Sequence, residues 1–165
     1  MKKVYLDNAA STPIAPEIIE MMSEMMKTNF ANPSSVHSFG RESKIIVENA
    51  RKSIANLLNT SPGSIFFTSG GTEADNMAIK CGIEDHDIKH AITSRISHYA
   101  VLYPLEDLAA SGKIELSYID IDENGVVSLS HLKELLQNNP RTLVSIMHAN
   151  NEIGTIQDLK QIGED

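Results

Sequence analysis

The stretch from Ile65 to Cys81, Ile-Phe-Phe-Thr-Ser-Gly-Gly-Thr-Glu-Ala-Asp-Asn-Met-Ala-Ile-Lys-Cys, restricts the fold more than any other part of the chain. Ile65-Phe66-Phe67-Thr68 is a short β-prone apolar run of the kind a buried strand uses. Ser69-Gly70-Gly71 then breaks it, because paired glycines accept backbone angles that other residues resist. From Thr72 a helical period takes over, with Ala74, Met77, Ala78 and Cys81 on one face and Glu73, Asp75, Asn76 and Lys80 elsewhere. A strand, a glycine turn and a helix start in succession present free N–H groups and the positive end of a helix dipole, which suits a phosphate. The turn has neither the Gly-Lys-Ser/Thr of a Walker A loop nor the G-x-G-x-x-G dinucleotide spacing. Locally it reads equally well as a corner whose glycines serve tight packing.

The rest of the chain extends the alternation. Val4-Tyr5-Leu6 reads as a short strand closed by the polar loop of residues 7–13. Pro16 opens a helix running to about Lys27, whose Ile18, Met22, Met25 and Met26 form a stripe suited to core filling. Residues 32–41 are aperiodic and rich in turn formers, a loop of the kind that often carries function; His37 within it reads on its own as a surface histidine. A long amphipathic helix follows with Ile46, Ala50, Ile54, Leu57 and Leu58 inward, ended by residues 59–63.

Beyond the central stretch, strands are expected over residues 90–94, 114–121 and 142–147, the last with the near-continuous hydrophobicity of a sheet centre. Helices are expected over residues 98–110, with Pro104 tolerable only near the start, around Leu132, Leu135 and Leu136, and from Leu159 to Glu164. Turns fall at Glu123-Asn124-Gly125 and at residues 150–154. This order predicts an α/β fold with a mainly parallel sheet flanked by helices. Ligands gather beyond the carboxyl ends of such strands. Three polar clusters, residues 69–72, 94–98 and 148–151, share that edge. There a phosphorylated aromatic cofactor would suit the set: phosphate on the glycine turn, His98 flat against the ring, Asn151 on a ring hydroxyl. The plainer alternative makes His98 a helix-start residue facing solvent and Asn151 a turn former.

A length of 165 residues accommodates one α/β core and is short for two domains. The net charge of −8, without a block of like charges, argues against nucleic acid or an anionic membrane as the main partner. No apolar run approaches membrane-spanning length and Met1-Lys2-Lys3 leads into no signal-peptide core, so a cytoplasmic location is expected. The single cysteine, Cys81, excludes an internal disulfide and two-cysteine metal sites, and its place on the apolar face reads as a small buried hydrophobe. No metal site is expected.

Five segments taken together carry a family resemblance: Tyr5-Leu6-Asp7-Asn8-Ala9-Ala10-Ser11-Thr12-Pro13, Asn32-Pro33-Ser34-Ser35-Val36-His37, Phe67 through Asn76, Thr93-Ser94 leading to His98-Tyr99-Ala100-Val101, and Val144 through Gly154. The chain resembles the pyridoxal-phosphate-dependent cysteine desulfurases of the NifS/IscS type, within the class V aminotransferase-like enzymes. The resemblance implies the N-terminal part of the aspartate aminotransferase superfamily fold, with residues 1–15 as an arm and residues 16–165 as the first part of the large cofactor domain. It implies that Gly71 and Thr72 bind the phosphate of pyridoxal 5′-phosphate, that His98 stacks on the ring and assists proton transfer, and that Asn151 bonds the ring hydroxyl. Ala10, Ser11, Thr12, Asn32 and His37 would line the substrate entrance. L-cysteine would be the substrate, its sulfur leaving as an enzyme persulfide for iron–sulfur or thio-cofactor assembly on an acceptor scaffold, and a homodimer the assembly.

The departures from the family pattern are equally specific. The family's aspartate for the pyridinium nitrogen, its Schiff-base lysine segment, its persulfide cysteine and its carboxylate-binding arginine would all lie beyond Asp165, and none of Lys80, Lys89, Lys113 or Lys160 sits in a matching motif. The 165-residue chain by itself is therefore expected not to desulfurate cysteine. A sheet without later strands would expose an edge and favour association. Ser97 stands where the family often has glutamate. A selenocysteine lyase, a kynureninase-like enzyme and a non-catalytic dimerisation module remain as alternatives.

Overall fold

The computed structural model describes residues 2–137 and 141–164. The backbone divides between Phe67 and Thr68 into two compact units.

The first unit holds α1 (Pro16–Thr28), α2 (Ser38–Leu57) and a single 3₁₀ turn (Pro62–Ser64). Pro16 at its first position, Glu17 in the first turn and Lys27 in the last give α1 the expected polarity. Its methionine stripe does not fill a core, however: no α1 residue is buried, because two helices and extended chain offer too little surface to cover it. The α2 helix begins three residues earlier than the loop reading predicts. His37 is its N-cap, with Nδ1 accepting the Gly40 N–H at 3.3 Å. The helix ends as expected, with Asn59 at φ 51° and the Thr60 N–H closing onto the Ala55 carbonyl at 2.9 Å. Its buried positions are Gly40, Ser43 and Ala55, while Ala50, Ile54, Leu57 and Leu58 are exposed and only Ile46 of the predicted set is half-buried. Arg51 holds the following segment by bonding the Ile65 carbonyl and lying 4.8 Å over the Phe67 ring. Neither residues 4–6 nor residues 65–68 form a strand: neither joins a ladder, and a strand exists only where a neighbour pairs with it.

The second unit is an α/β sandwich. In chain order it contains α3 (Gly71–Asp85), β1 (His90–Ser94), α4 (Tyr99–Ala110), β2 (Glu115–Ile119), α5 (Leu129–Gln137), β3 (Thr142–Ser145) and α6 (Leu159–Glu164). The sheet order is β2-β1-β3 and both pairings are parallel, with His90 opposite Glu115 on one side and Thr142 on the other. The central strand is β1, every residue of which is buried; β3, expected at the centre, is a half-buried edge of the described sheet. Successive β1 residues feed opposite cores. Ala91 joins Ile79, Ile83, Leu105 and Leu108 of α3 and α4, while Ile92 joins Ile119, Val127 and Leu132.

Two predicted features of the helices are corrected. The buried α3 residues are Ile79 and Ile83, so Met77 and Cys81 are exposed rather than core-facing. The helix is turned this way because Asn76 faces α4, its Nδ2 reaching the Ala100 carbonyl at 3.3 Å as well as the Thr72 carbonyl at 2.9 Å. Pro104 lies well inside α4 and not at its start. Proline has no N–H for the carbonyl four residues back, which is that of Ala100, and Asn76 supplies the missing donor.

Candidate active site

The start of α3 is built to leave N–H groups free. Its N-cap, Gly70, is extended and offers no side-chain bond. The Ser69 hydroxyl and N–H, each 2.6 Å from Glu73 Oε2, close the turn on its outer side and hold that carboxyl below its ordinary range, the hydroxyl bond contributing most. A Cβ placed on Gly70 or Gly71 would meet nothing within 4 Å. Among the described residues these glycines therefore do not serve tight packing and border open space at a helix N-terminus. That space is a cavity of about 530 Å³ whose lining includes Gly71, Thr72, Asp75, Ser97 and His98.

His98 follows β1 as the N-cap of α4, with Nδ1 accepting the Ala100 N–H at 3.0 Å. That bond occupies the Nδ1 lone pair, so the neutral ring carries its proton on Nε2. Ser97 beneath it is buried, its Oγ 3.0 Å from Thr93 Oγ1 and 3.1 Å from Ser94 Oγ. These hydroxyls lock the last turn of chain before the histidine.

Asn151 lies in the turn after β3, exposed, with Nδ2 donating to Glu152 Oε1 at 3.0 Å. It lines a second cavity of about 310 Å³. His98, Ser97 and Met147 line both cavities, so the two hollows adjoin at the imidazole; Thr72 belongs to the first and Asn151 to the second. The remaining predicted residues lie in the first unit with local roles. The Ala10 and Ser11 N–H groups donate to the Asp7 carbonyl and Ser11 Oγ is 2.8 Å from Tyr5 OH, while Thr12 is exposed. Asn32 Oδ1 accepts the Ser34 N–H at 2.8 Å, and His37 is occupied as a cap.

Sequence reasoning missed Asp75 on the cavity wall, the Asn76 link between α3 and α4, and the buried Asn150 and Gln157. A proline in a helical pattern announces one unserved carbonyl, which was the available clue to Asn76. Among the described residues no group of three or more acidic, histidine or cysteine side chains is placed to hold a metal.

Known proteins are similar to this chain in sequence and in fold. The family model of Aminotransferase class-V matches residues 4–165. The cysteine desulfurase IscS of Dictyoglomus turgidum is 45% identical across 99% of this chain and 41% of its own length. That of Methanosarcina thermophila is 46% identical across 99% of this chain and 40% of its own. A solved structure named NifS-like protein superposes with a TM-score of 0.92 at 37% identity, covering 99% of this chain and 45% of the other. SspA in complex with cysteine superposes at 0.85 with 35% identity, covering 94% and 45%. The chain thus spans about two fifths of the length of the curated relatives it matches. By sequence and by fold it belongs to the class-V aminotransferase family, where it matches the N-terminal portion of proteins of the NifS/IscS type.

Proposed function

We propose that this chain supplies the phosphate end and one ring face of a pyridoxal 5′-phosphate site in a cysteine desulfurase. The observation that carries this reading is the uncapped glycine start of α3 opening into the same cavity as His98. The donor set fits the cofactor: the N–H groups of Gly71 and Thr72 and the Thr72 hydroxyl suit the phosphate, with the helix dipole favouring its charge. The His98 imidazole suits the ring face, and Asn151 reaches the ring hydroxyl by giving up Glu152. When bound, the cofactor supplies an electron sink for bond changes at an amino-acid α-carbon.

In this scheme the protein's own groups divide the work. The Ala100 N–H fixes the His98 ring and leaves Nε2 as the nitrogen that carries a movable proton. L-cysteine is the substrate, converted to L-alanine as its sulfur passes to a thiol as a persulfide, destined through an acceptor protein for iron–sulfur or thio-cofactor synthesis. The reaction takes place in the cytoplasm, in a homodimer. The 165-residue polypeptide on its own binds the cofactor without turning over cysteine.

Titration of the purified chain with pyridoxal 5′-phosphate, followed by absorbance, tests the site. Saturable binding that Thr72→Ala weakens about tenfold supports it, since one phosphate hydrogen bond is worth roughly that factor. Binding unmoved by Thr72→Ala would place the phosphate elsewhere.

A further inference from the structure

We propose that Asn150 is a positioning residue, its single carboxamide tying the loop that carries Asn151 to the loop that carries His98. The inference rests on the site reading above, in which those two groups flank one ring. Asn150 follows β3 and is 8% exposed. Its Nδ2 donates to the carbonyl of Ile96 at 2.9 Å, two residues before His98. Its Oδ1 accepts the N–H groups of Glu152 at 2.9 Å and Ile153 at 3.1 Å, which folds the turn around Asn151. Its backbone N–H donates to the Thr155 carbonyl and its own carbonyl accepts from Gly154, both at 2.9 Å. Adjacent asparagines have thus separated their work: Asn150 is buried with both ends of its carboxamide bonded, and Asn151 is exposed at the cavity.

The turn between β2 and α5 backs this tether. Gly125, at φ 77°, sits so close that a Cβ there would come within 2.6 Å of Ile153 Cδ1 and 3.3 Å of Ile96 Cδ1. Gln157, 5% exposed, donates to the Gly125 carbonyl at 2.7 Å and accepts the Val127 N–H at 3.1 Å. These contacts hold the outer ends of the loops, whereas the Asn150–Ile96 bond joins, beyond the β1–β3 ladder, the loop segments leading to Asn151 and to His98. It is separable from the turn itself. Asn150→Asp keeps an oxygen for the Glu152 and Ile153 N–H groups and puts a carboxylate oxygen in place of the donor that faces the Ile96 carbonyl.

The test combines cofactor titration with amide hydrogen exchange on the wild type, Asn150→Asp, Asn151→Ala and the double variant. Asn150→Asp raises the Kd for pyridoxal 5′-phosphate about tenfold if the competent loop pairing is then held about a tenth of the time. The double variant is weakened by less than the product of the single effects, because Asn150 acts partly through Asn151. Exchange quickens at the Ser97 N–H, which the Ser94 carbonyl accepts at 3.1 Å, while Glu152 and Ile153 stay protected. Unchanged affinity in Asn150→Asp, multiplicative effects or unchanged Ser97 protection would overturn the positioning role. A wild type that retains no cofactor overturns the site reading and this role with it, whereas wild-type binding indifferent to Asn150→Asp overturns this role alone.

Discussion

His90 begins β1, 3% exposed, with its ring held between the two neighbouring strands: Nδ1 lies 3.0 Å from Thr142 Oγ1 and Nε2 2.8 Å from Ser117 Oγ. Burial pushes its pKa below the ordinary value of 6.5, and the carboxylate of Glu115, opposite in register, opposes that shift without cancelling it. A histidine with a depressed folded pKa favours the folded state when neutral. Its contribution is therefore complete above about pH 6.5 and is lost as the pH falls through that value towards the lower folded pKa. The urea midpoint of the wild type should drop between pH 7.5 and pH 5.5 by more than that of His90→Asn, which keeps hydrogen-bonding groups and cannot titrate. Equal drops would show that other groups carry the acid sensitivity. His90 and His98 stand at opposite ends of the segment spanning β1, so the same strand uses one imidazole as a cross-strand clamp and the next as a helix cap.

Periodicity located the helices to within a few residues, because the apolar spacing that defines a helix lies within the helix. It misjudged which face is buried where a polar side chain decides the matter. Asn76, placed on the polar side of α3 by sequence, turns the helix by serving the Ala100 carbonyl that Pro104 leaves without a donor, and this exposes Cys81. Strands were legible only in the second unit, where each has a parallel neighbour; residues 4–6 and 65–68 have strand composition and no ladder. Asn76→Leu should cost about 1–3 kcal/mol in chemical denaturation, the penalty for stranding a buried carbonyl. A loss under half of that would mean that water replaces the amide. Glycines divide just as sharply. A Cβ at Gly40 would fall within 2.7 Å of Ser35 Cβ and 2.9 Å of the Asn32 carbonyl oxygen, so Gly40→Ala should cost about 1–3 kcal/mol by forcing the 32–35 turn off the start of α2. Gly71→Ala meets open space and should move stability by no more than about 0.5 kcal/mol while weakening cofactor binding. Thermal melts and cofactor titrations of the two variants, read side by side, distinguish a packing glycine from one that keeps a site open.

For the molecule as a whole, three candidate residues named from the sequence, Thr72 at a helix start and His98 and Asn151 beyond strands, come to two adjoining hollows, Thr72 in one, Asn151 in the other and His98 at the junction. What this polypeptide does with a cofactor depends on whether an amine reaches those hollows. Among the described residues no lysine lines either of them. Lys89 pairs with Asp87 at 2.7 Å, Lys113 with Glu84 at 3.8 Å and Lys160 with Glu164 at 4.0 Å, all at exposed positions, and Lys80 is exposed on α3. Exposed ion pairs of this kind hold little energy, so charge pairing alone would not stop these lysines from reacting with free cofactor at high concentration. At stoichiometric concentration the proposed phosphate site at the start of α3 should outcompete them, and the cofactor should then be held without a covalent bond. The purified 165-residue chain should therefore retain pyridoxal 5′-phosphate through a desalting step, release it on acid denaturation, and show no mass increase after borohydride treatment. The same preparation given L-cysteine should form alanine and sulfide no faster than free cofactor does, because among the described residues neither an amine nor a thiol lines the hollows, and binding alone supplies orientation and not turnover. A covalent adduct on one lysine in stoichiometric yield, or alanine formation above that background, would show that these residues contain a complete catalytic set.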